Sequence, residues 1–387
     1  MLEDNLAFLL RDSVSKSIRD RPRLSFEDWA PRYMGSPDGI EFELLPHQLA
    51  PARDIFTPTI PWVALRWASG LGKTYLFGAA FVYAIDQLGL ECGLMYPNER
   101  TAFNRLEEKI WPFFEATPKI NQLHQTKNNM GLKSWSEGGR ITAVGANSAT
   151  EIRVLEIDFC YADEIDSITQ EESDEGDKVD LFFKRARGRA NVYKLVSSYP
   201  SQKGMSKIDT FFDIGDGCRW YMDCPKCGKG VDFHPNHVVA PSGKAHLALV
   251  ECPECSKTFN DQERKTASRE TGRYIDSLGE VVTGGDVPRV GKGRSYHVNC
   301  MAHVGPSDSS FASYLHEVYE GREACTDEKK KRVFLNTMCA ESYAPVEESP
   351  DVQVSELVRR RENWNPKESV PDGVLCVTWG AEVQQNR

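Results

Sequence analysis

Two stretches of this chain place residue types at spacings suited to phosphate chemistry. Ala68-Ser-Gly-Leu-Gly-Lys-Thr74 is a glycine-rich turn ending in a lysine and a hydroxyl. Such a turn, entered by a strand and left by a helix, aims backbone N–H groups at an anion. Ser69, Gly70, Leu71 and Gly72 would wrap the phosphates of ATP, Lys73 would reach the β- and γ-phosphates, and the Thr74 hydroxyl would bind Mg²⁺. The second stretch, Ile157-Asp-Phe-Cys-Tyr-Ala-Asp163-Glu164, is apolar and closes on two acids. Asp163 is expected to hold Mg²⁺ through water and Glu164 to polarise the attacking water, two separate tasks that need two carboxylates. One position departs from the full loop pattern: Trp67 stands five residues before Gly72, where glycine is usual.

A third constellation is made of cysteines. Cys224-Pro-Lys-Cys227 and Cys252-Pro-Glu-Cys255 form two knuckles with 24 residues between them. Four thiolates on two tight turns complete a tetrahedron with no open position, so the expected ion is a structural Zn²⁺. His234 and His237 lie inside the insert as substitute ligands, and the remaining cysteines, Cys218 among them, are scattered singly. That usage belongs to metal binding in a reducing compartment and not to a disulfide framework.

The elements that must hold these groups are legible as periodicity. Trp62–Arg66, Cys92–Tyr96, Arg140–Val144, Ile157–Ala162 and Val192–Ser197 read as short strands. Thr74–Leu88 sets Leu76, Ala80, Tyr83, Ala84 and Leu88 at helical spacing, and a second helix is expected over Ala102–Phe114. Alternation of this kind predicts an α/β fold, a mainly parallel sheet with helices on both faces. Residues 1–40 form a lead-in whose Leu2, Leu6, Leu9 and Leu10 share a helical face, open to core docking or to a partner. An ATPase core over 41–217, a zinc ribbon over 218–260, a helical and linker part over 261–370 (irregular to about 295) and a last apolar strand over 371–387 follow.

The chain has 387 residues, with 47 Lys+Arg against 57 Asp+Glu and a net charge of −10. This excludes a basic coat over the whole surface but not a local basic groove, since binding follows the local field. Lys184-Arg-Ala-Arg-Gly-Arg189 is the densest basic run beside the presumed ATPase. Arg185, Arg187 and Arg189, with Arg66, are candidates either for DNA phosphates or for an arginine finger. No apolar run approaches the ~18 residues of a membrane span, and the N-terminus lacks the features of a signal peptide. Pro46-His-Gln48 either offers the Gln48 amide to adenine or carries a surface glutamine. Leu195-Val-Ser-Ser-Tyr-Pro-Ser201 is either a γ-phosphate sensor or a plain strand and turn.

The ordered set resembles the large terminase subunits of lambda-like tailed phages. It takes in Phe26-Glu-Asp-Trp29, Pro46-His-Gln48, Gly72-Lys-Thr74, Tyr96-Pro97, Ala116-Thr-Pro118, Gly145-Ala-Asn-Ser148, Ala162-Asp-Glu164, Glu175-Gly-Asp177, the cysteine knuckles, Phe334-Leu-Asn-Thr337 and Gly380-Ala-Glu-Val-Gln384. The resemblance implies a P-loop NTPase of the additional-strand, RecA-like type, an inserted zinc ribbon and a C-terminal RNase H-like nuclease. It carries Lys73, Thr74, Asp163 and Glu164 to their phosphate, magnesium and water-activating roles, and Gln48 to adenine. It further implies double-stranded DNA, a small terminase subunit and a procapsid portal as partners, with no membrane. A homo-oligomeric ring in the host bacterial cytoplasm, transiently at the portal vertex, completes that picture. The family nuclease opens on a Gly-x-Asp-x-Gln strand, whereas here Glu382 holds the acid position and the sequence stops five residues later. The expectation is therefore a truncated nuclease over 371–387, with Glu382 a remnant and no nuclease activity. The rivals to a DNA-packaging ATPase motor are a helicase-like DNA translocase and a non-catalytic zinc-ribbon scaffold with a vestigial ATP fold.

Overall fold

Strand-forming runs are drawn into one 12-stranded sheet in a computed structural model that describes residues 24–120, 123–136, 138–168 and 176–345. In chain order its strands begin with β1 (Val63–Trp67), β2 (Glu91–Tyr96), β3 (Gln125–Asn129), β4 (Leu132–Trp135), β5 (Arg140–Gly145), β6 (Phe159–Asp163) and β7 (Tyr193–Ser198). Then come β8 (Cys218–Asp223) and β9 (Gly230–Val231), while β10 (Val238–Val239), β11 (Leu249–Glu251) and β12 (Thr258–Phe259) form a separate antiparallel sheet of three. The large sheet is completed by β13 (Arg273–Ile275), β14 (Val281–Val282) and β15 (Arg294–Val298). Its order is β14-β13-β8-β15-β1-β7-β6-β2-β5-β4-β3, with β9 on β8.

From β8 to β5 each neighbouring pair is parallel; the outer pairs are antiparallel. Parallel strands need crossovers and bury both faces, which is why β1 is buried at every residue. The helices that matter for the site are α1 (Phe26–Tyr33), α2 (Pro46–Ile55), α3 (Lys73–Tyr83), α4 (Glu99–Arg105) and α5 (Trp111–Ala116). A π-helical turn, Ala84–Leu88, extends α3 to the expected Leu88, and another, Leu106–Ile110, joins α4 to α5. Among the described residues, no helix is long and apolar enough to cross a membrane.

Several expectations change here. The leucine stripe Leu2–Leu10 lies outside the described residues, but α1 buries Phe26, Trp29 and Ala30, and Trp29 Nε1 donates to Asp86 at 2.9 Å. This half of the lead-in is core. The core does not stop at 217, because β8, β13, β14 and β15 belong to the same sheet and β15 lies directly against β1. Residues 261–295 are likewise not simply irregular: a capped helix, Asp261–Thr271, and strands β13 and β14 occupy them.

β15 escapes the apolar pattern because its polar side chains are satisfied internally. Arg294, 3% exposed, bridges Asp54 of α2 at 2.8 Å and Asp216 at 2.5 Å, and Tyr296 donates to Asp54 at 2.5 Å. Removing one partner of a buried ion network leaves charge stranded, at a cost of about 3–5 kcal/mol. Arg294→Met should therefore lower the unfolding free energy by that much and shift the denaturant midpoint down accordingly, while Arg189→Met, at a half-buried pair with Glu156 and Asp158, should move the midpoint far less. Equal midpoints for the two variants would remove the network from the stability of this sheet.

Candidate functional site

The glycine-rich turn sits at the C-terminal end of β1 and opens α3, the context the sequence demanded. Gly70 and Gly72 both adopt φ +73°, a left-handed conformation open to glycine and strained for other residues. A Cβ at Gly72 would also lie 2.6 Å from the Gln48 amide nitrogen. Trp67 does not obstruct the loop. Its side chain is fully buried and packs edge-on to His47, ring centroids 5.2 Å apart, and only its carbonyl faces the loop, accepting from Lys73 Nζ at 3.0 Å.

Gln48 and His47 brace this turn from α2. Gln48 Nε2 donates to the Leu71 and Gly72 carbonyls at 3.2 and 3.0 Å, and its Oε1 accepts from the Leu45 N–H at 2.9 Å. The amide is thus committed to backbone, which corrects the expectation that it faces adenine. Burial holds the His47 imidazole down to about 4, so it is neutral and donates from Nε2 to the Leu71 carbonyl at 2.9 Å. The Ser69 N–H is also spent away from any anion, on the Thr337 carbonyl at 2.7 Å. Gly72 caps α3 with no side-chain acceptor, so the first-turn N–H groups keep their capacity for phosphate.

The acids arrive from β6, with β7 lying between it and β1. Tyr96 of β2 donates to Asp163 Oδ2 at 2.7 Å; Ser197 of β7 and the Glu164 N–H donate to Oδ1, the latter at 2.9 Å. Burial lifts the Tyr96 phenol well above its ordinary range, so it remains a donor. Glu164 adopts φ +53°, uncommon for a residue with a side chain, and strain of this kind clusters at working sites at about 1–3 kcal/mol each. Arg105, at the end of α4, pairs with Glu164 Oε1 at 3.0 Å.

These groups share one cavity of about 180 Å³, lined by Lys73, Thr74, Tyr96, Arg105, Lys109, Asp163, Glu164 and Tyr199 among others. Desolvation pushes the Lys73 ammonium down to about 8, and the Asp163 and Glu164 charges only partly oppose it. The lysine rests on the Tyr199 ring, 3.6 Å from its centroid. Its charge is short of counter-charge, which is what a polyphosphate supplies. A second cleft of about 630 Å³ runs over Ser69–Tyr75, and a third of about 380 Å³ continues behind the turn between Ile40, Phe42, Leu45, Tyr75 and Val304.

The candidate arginines are elsewhere. Arg66 is buried against Asp209 at 2.9 Å and lies over the Phe212 ring. Arg185 donates to the Arg153 carbonyl, and Arg189 pairs with Glu156 and Asp158. Arg187 lines a cleft of about 600 Å³ with Trp62, Lys184, Lys194 and Lys207, beside the N-terminal ends of β1 and β7 and away from the loop. Arg105 escaped the sequence reading. Tyr96, before a proline in the family-like order, and Ser197, inside the run weighed as a γ-phosphate sensor or a plain strand and turn, left a trace there without their bonds to Asp163.

Cys224, Cys227, Cys252 and Cys255 converge with their sulfurs within 4.8 Å of one another, at the root of the small sheet. Each knuckle closes alike: Gly228 N–H to the Cys224 carbonyl and Ser256 N–H to the Cys252 carbonyl, both at 2.8 Å. His234 and His237 are turned away, His234 towards Glu341 at 3.6 Å. Asp177, from the unexplained Glu175-Gly-Asp177, caps the helix Lys178–Phe183 and pairs with Lys207 at 2.8 Å.

Comparison with known proteins matches residues 35–274 to the ATPase domain of the phage terminase large subunit gpA, and residues 293–387 to the endonuclease domain of the same subunit. The second match overturns the expectation of an all but absent nuclease domain. That expectation weighed only Glu382 and its neighbours, which lie outside the described residues, whereas the match begins about 90 residues earlier. The large terminase subunit of Enterobacteria phage P21 is 22% identical over 385 residues, 94% of this chain and 59% of that protein; the chain thus spans under two thirds of the relative's length. Among solved structures, the ATPase domain of the Thermus phage P74-26 large terminase aligns at TM-score 0.40 and 14% identity, over 81% of this chain and all of that one. The large terminase of bacteriophage HK97 aligns at 0.41 and 17%, over 49% and 40%. The loop, the acid pair and a family match covering most of the described residues agree: this chain belongs to the phage terminase large subunit gpA family.

Proposed function

We propose that this chain is the ATP-hydrolysing motor of a phage DNA-packaging terminase. The observation that carries the reading is the meeting of Lys73, Thr74, Asp163 and Glu164 in one cavity at the C-terminal ends of β1 and β6. The strand β7 between the loop strand and the acid strand supports the additional-strand, RecA-like P-loop type. The turn from Gly70 to Lys73 and the first turn of α3 bind the phosphates, and Lys73 exchanges the Tyr199 ring for them. Glu164 orients the attacking water and accepts its proton. Thr74 and Asp163 would hold Mg²⁺, which supplies charge neutralisation at the phosphates. With Gln48 committed to the loop, the base fits the apolar cleft of Ile40, Phe42, Leu45 and Tyr75. The four thiols suit Zn²⁺ in an inserted ribbon.

DNA contact is assigned to the cleft where Lys184, Arg187, Lys194 and Lys207 outnumber Asp177 and Asp180, on a chain whose net charge is −10. Contact there is to phosphate and independent of sequence, with affinity falling as salt rises. A portal, a procapsid and a small terminase subunit are the proposed partners, in a homo-oligomeric ring in the host bacterial cytoplasm.

The test is ATP turnover with and without linear duplex DNA across a salt series. Duplex should stimulate turnover, and Lys184→Gln with Arg187→Gln should weaken that stimulation and reduce the logarithmic salt slope by about 2. Turnover indifferent to duplex at every salt concentration would end the motor reading. Absence of ATP binding would favour a scaffold.

A further inference from the structure

We propose that Arg105 is the cavity's own γ-phosphate cation, and that Glu164 holds it while no nucleotide is bound. The inference rests on the reading of this cavity as the hydrolytic site. Arg105 is the arginine that lines it, together with Lys73, Thr74, Asp163 and Glu164. Its guanidinium meets Glu164 Oε1 at 3.0 Å and lies 5.9 Å from the Tyr96 ring, whose hydroxyl in turn holds Asp163. The pair is half-exposed, with side chains 40% and 34% accessible, so it is weak and exchangeable.

The local backbone favours such a role. Arg105 is the last residue of α4, and the π-helical turn Leu106–Ile110 follows at once; π-turns recur at functional sites. Lys109 of that turn lines the same cavity. Three cations, Lys73, Arg105 and Lys109, therefore face two carboxylates, Asp163 and Glu164. A γ-phosphate brings more negative charge than one carboxylate and offers the planar guanidinium two oxygens. It takes Arg105 from Glu164, and the same exchange frees the Glu164 carboxylate for water. Occupancy by a triphosphate thus switches on the base, and a diphosphate leaves it paired. Arg66, Arg185 and Arg189 are committed elsewhere to Asp209, to the Arg153 carbonyl and to Glu156 with Asp158.

The experiment uses the full chain and compares Arg105→Gln, Arg105→Lys, Glu164→Gln and the Arg105→Gln/Glu164→Gln double variant, measuring turnover and the binding of ATP and ADP. Loss of a preorganised cation at the transferring group predicts about 10²-fold slower turnover for Arg105→Gln. ATP affinity should fall about tenfold with ADP affinity unchanged, since only ATP carries the group Arg105 contacts. Arg105→Lys should recover ATP affinity but not turnover. Glu164→Gln should tighten ATP by releasing Arg105, and the double variant should lose that gain. A structural role would move ATP and ADP together. Equal losses for ATP and ADP, or unchanged turnover in Arg105→Gln, would overturn the proposal while leaving the ATPase reading intact. Wild-type protein that binds no ATP would sink that reading itself.

Discussion

Glu164→Gln should slow ATP turnover by about 10²–10⁴-fold while ATP binding is kept, because a positioned general base contributes a factor of that size. The substitution isolates one function. Glutamine preserves the length and planarity of the side chain and the left-handed backbone at φ +53°, while its neutral amide holds Arg105 less firmly than the carboxylate does at 3.0 Å. What it loses is the capacity to take a proton. Asp163→Asn is not equivalent, since Tyr96 donates to one carboxylate oxygen and Ser197 and the Glu164 N–H to the other, and asparagine turns one of those two acceptors into a donor. Asp163→Asn is thus expected to disturb local structure as well as metal affinity. Single-turnover hydrolysis and equilibrium nucleotide binding separate the two effects. Undiminished single-turnover hydrolysis in Glu164→Gln would relocate the water-activating group.

Why the loop, the acid pair and the cysteines were legible is a matter of contiguity. Each is a short local motif whose chemistry is set by neighbours in the chain, and β1, β2, β5, β6 and β7 carry a plain apolar signal. The partners that position the site come from afar. Tyr96 reaches Asp163 across 67 positions and Arg105 reaches Glu164 across 59, so no local pattern joins them. Gln48 was read as an adenine contact or a surface glutamine; only the Leu71 and Gly72 carbonyls, 23 and 24 positions on, reveal that its amide is spent on the loop. β15 failed for another reason. Arg294, Ser295 and His297 make a strand that reads as polar, and each side chain is satisfied inside: Arg294 by two aspartates, Ser295 by the Phe212 carbonyl, His297 by the Cys339 carbonyl. Periodicity sees hydrophobicity, and a buried polar strand has none to show.

Removing the metal expected at the cysteine knuckles should have the largest effect on stability, and it should be local. The four thiols stand as a ligand set. The Cys224–Cys255 and Cys227–Cys252 sulfurs are 4.0 Å apart, far beyond a disulfide, whereas Zn–S bonds of about 2.3 Å at tetrahedral angles require S···S near 3.8 Å. The region they close has little regular structure of its own, although Arg322 and Asn299 bond its backbone from outside. The three strands β10–β12 are two or three residues long, and the apolar filling is essentially Phe233, Val238, Val250 and Phe259. Zinc in such a site contributes about 10–16 kcal/mol of apparent binding energy, more than these side chains can replace. Purified protein should therefore carry about one zinc per chain, and Cys252→Ser or a strong chelator should expose residues 224–260 to proteolysis. The nucleotide loop is insulated from that loss. It is held by α2, β15 and the Thr337 carbonyl, none of which belongs to the knuckle region, so ATP binding should survive chelation. Metal analysis, limited proteolysis and nucleotide binding on one sample decide it. A metal-free chain whose knuckle region resists protease as well as the untreated protein would show that packing alone suffices, and the cysteines would then need another explanation.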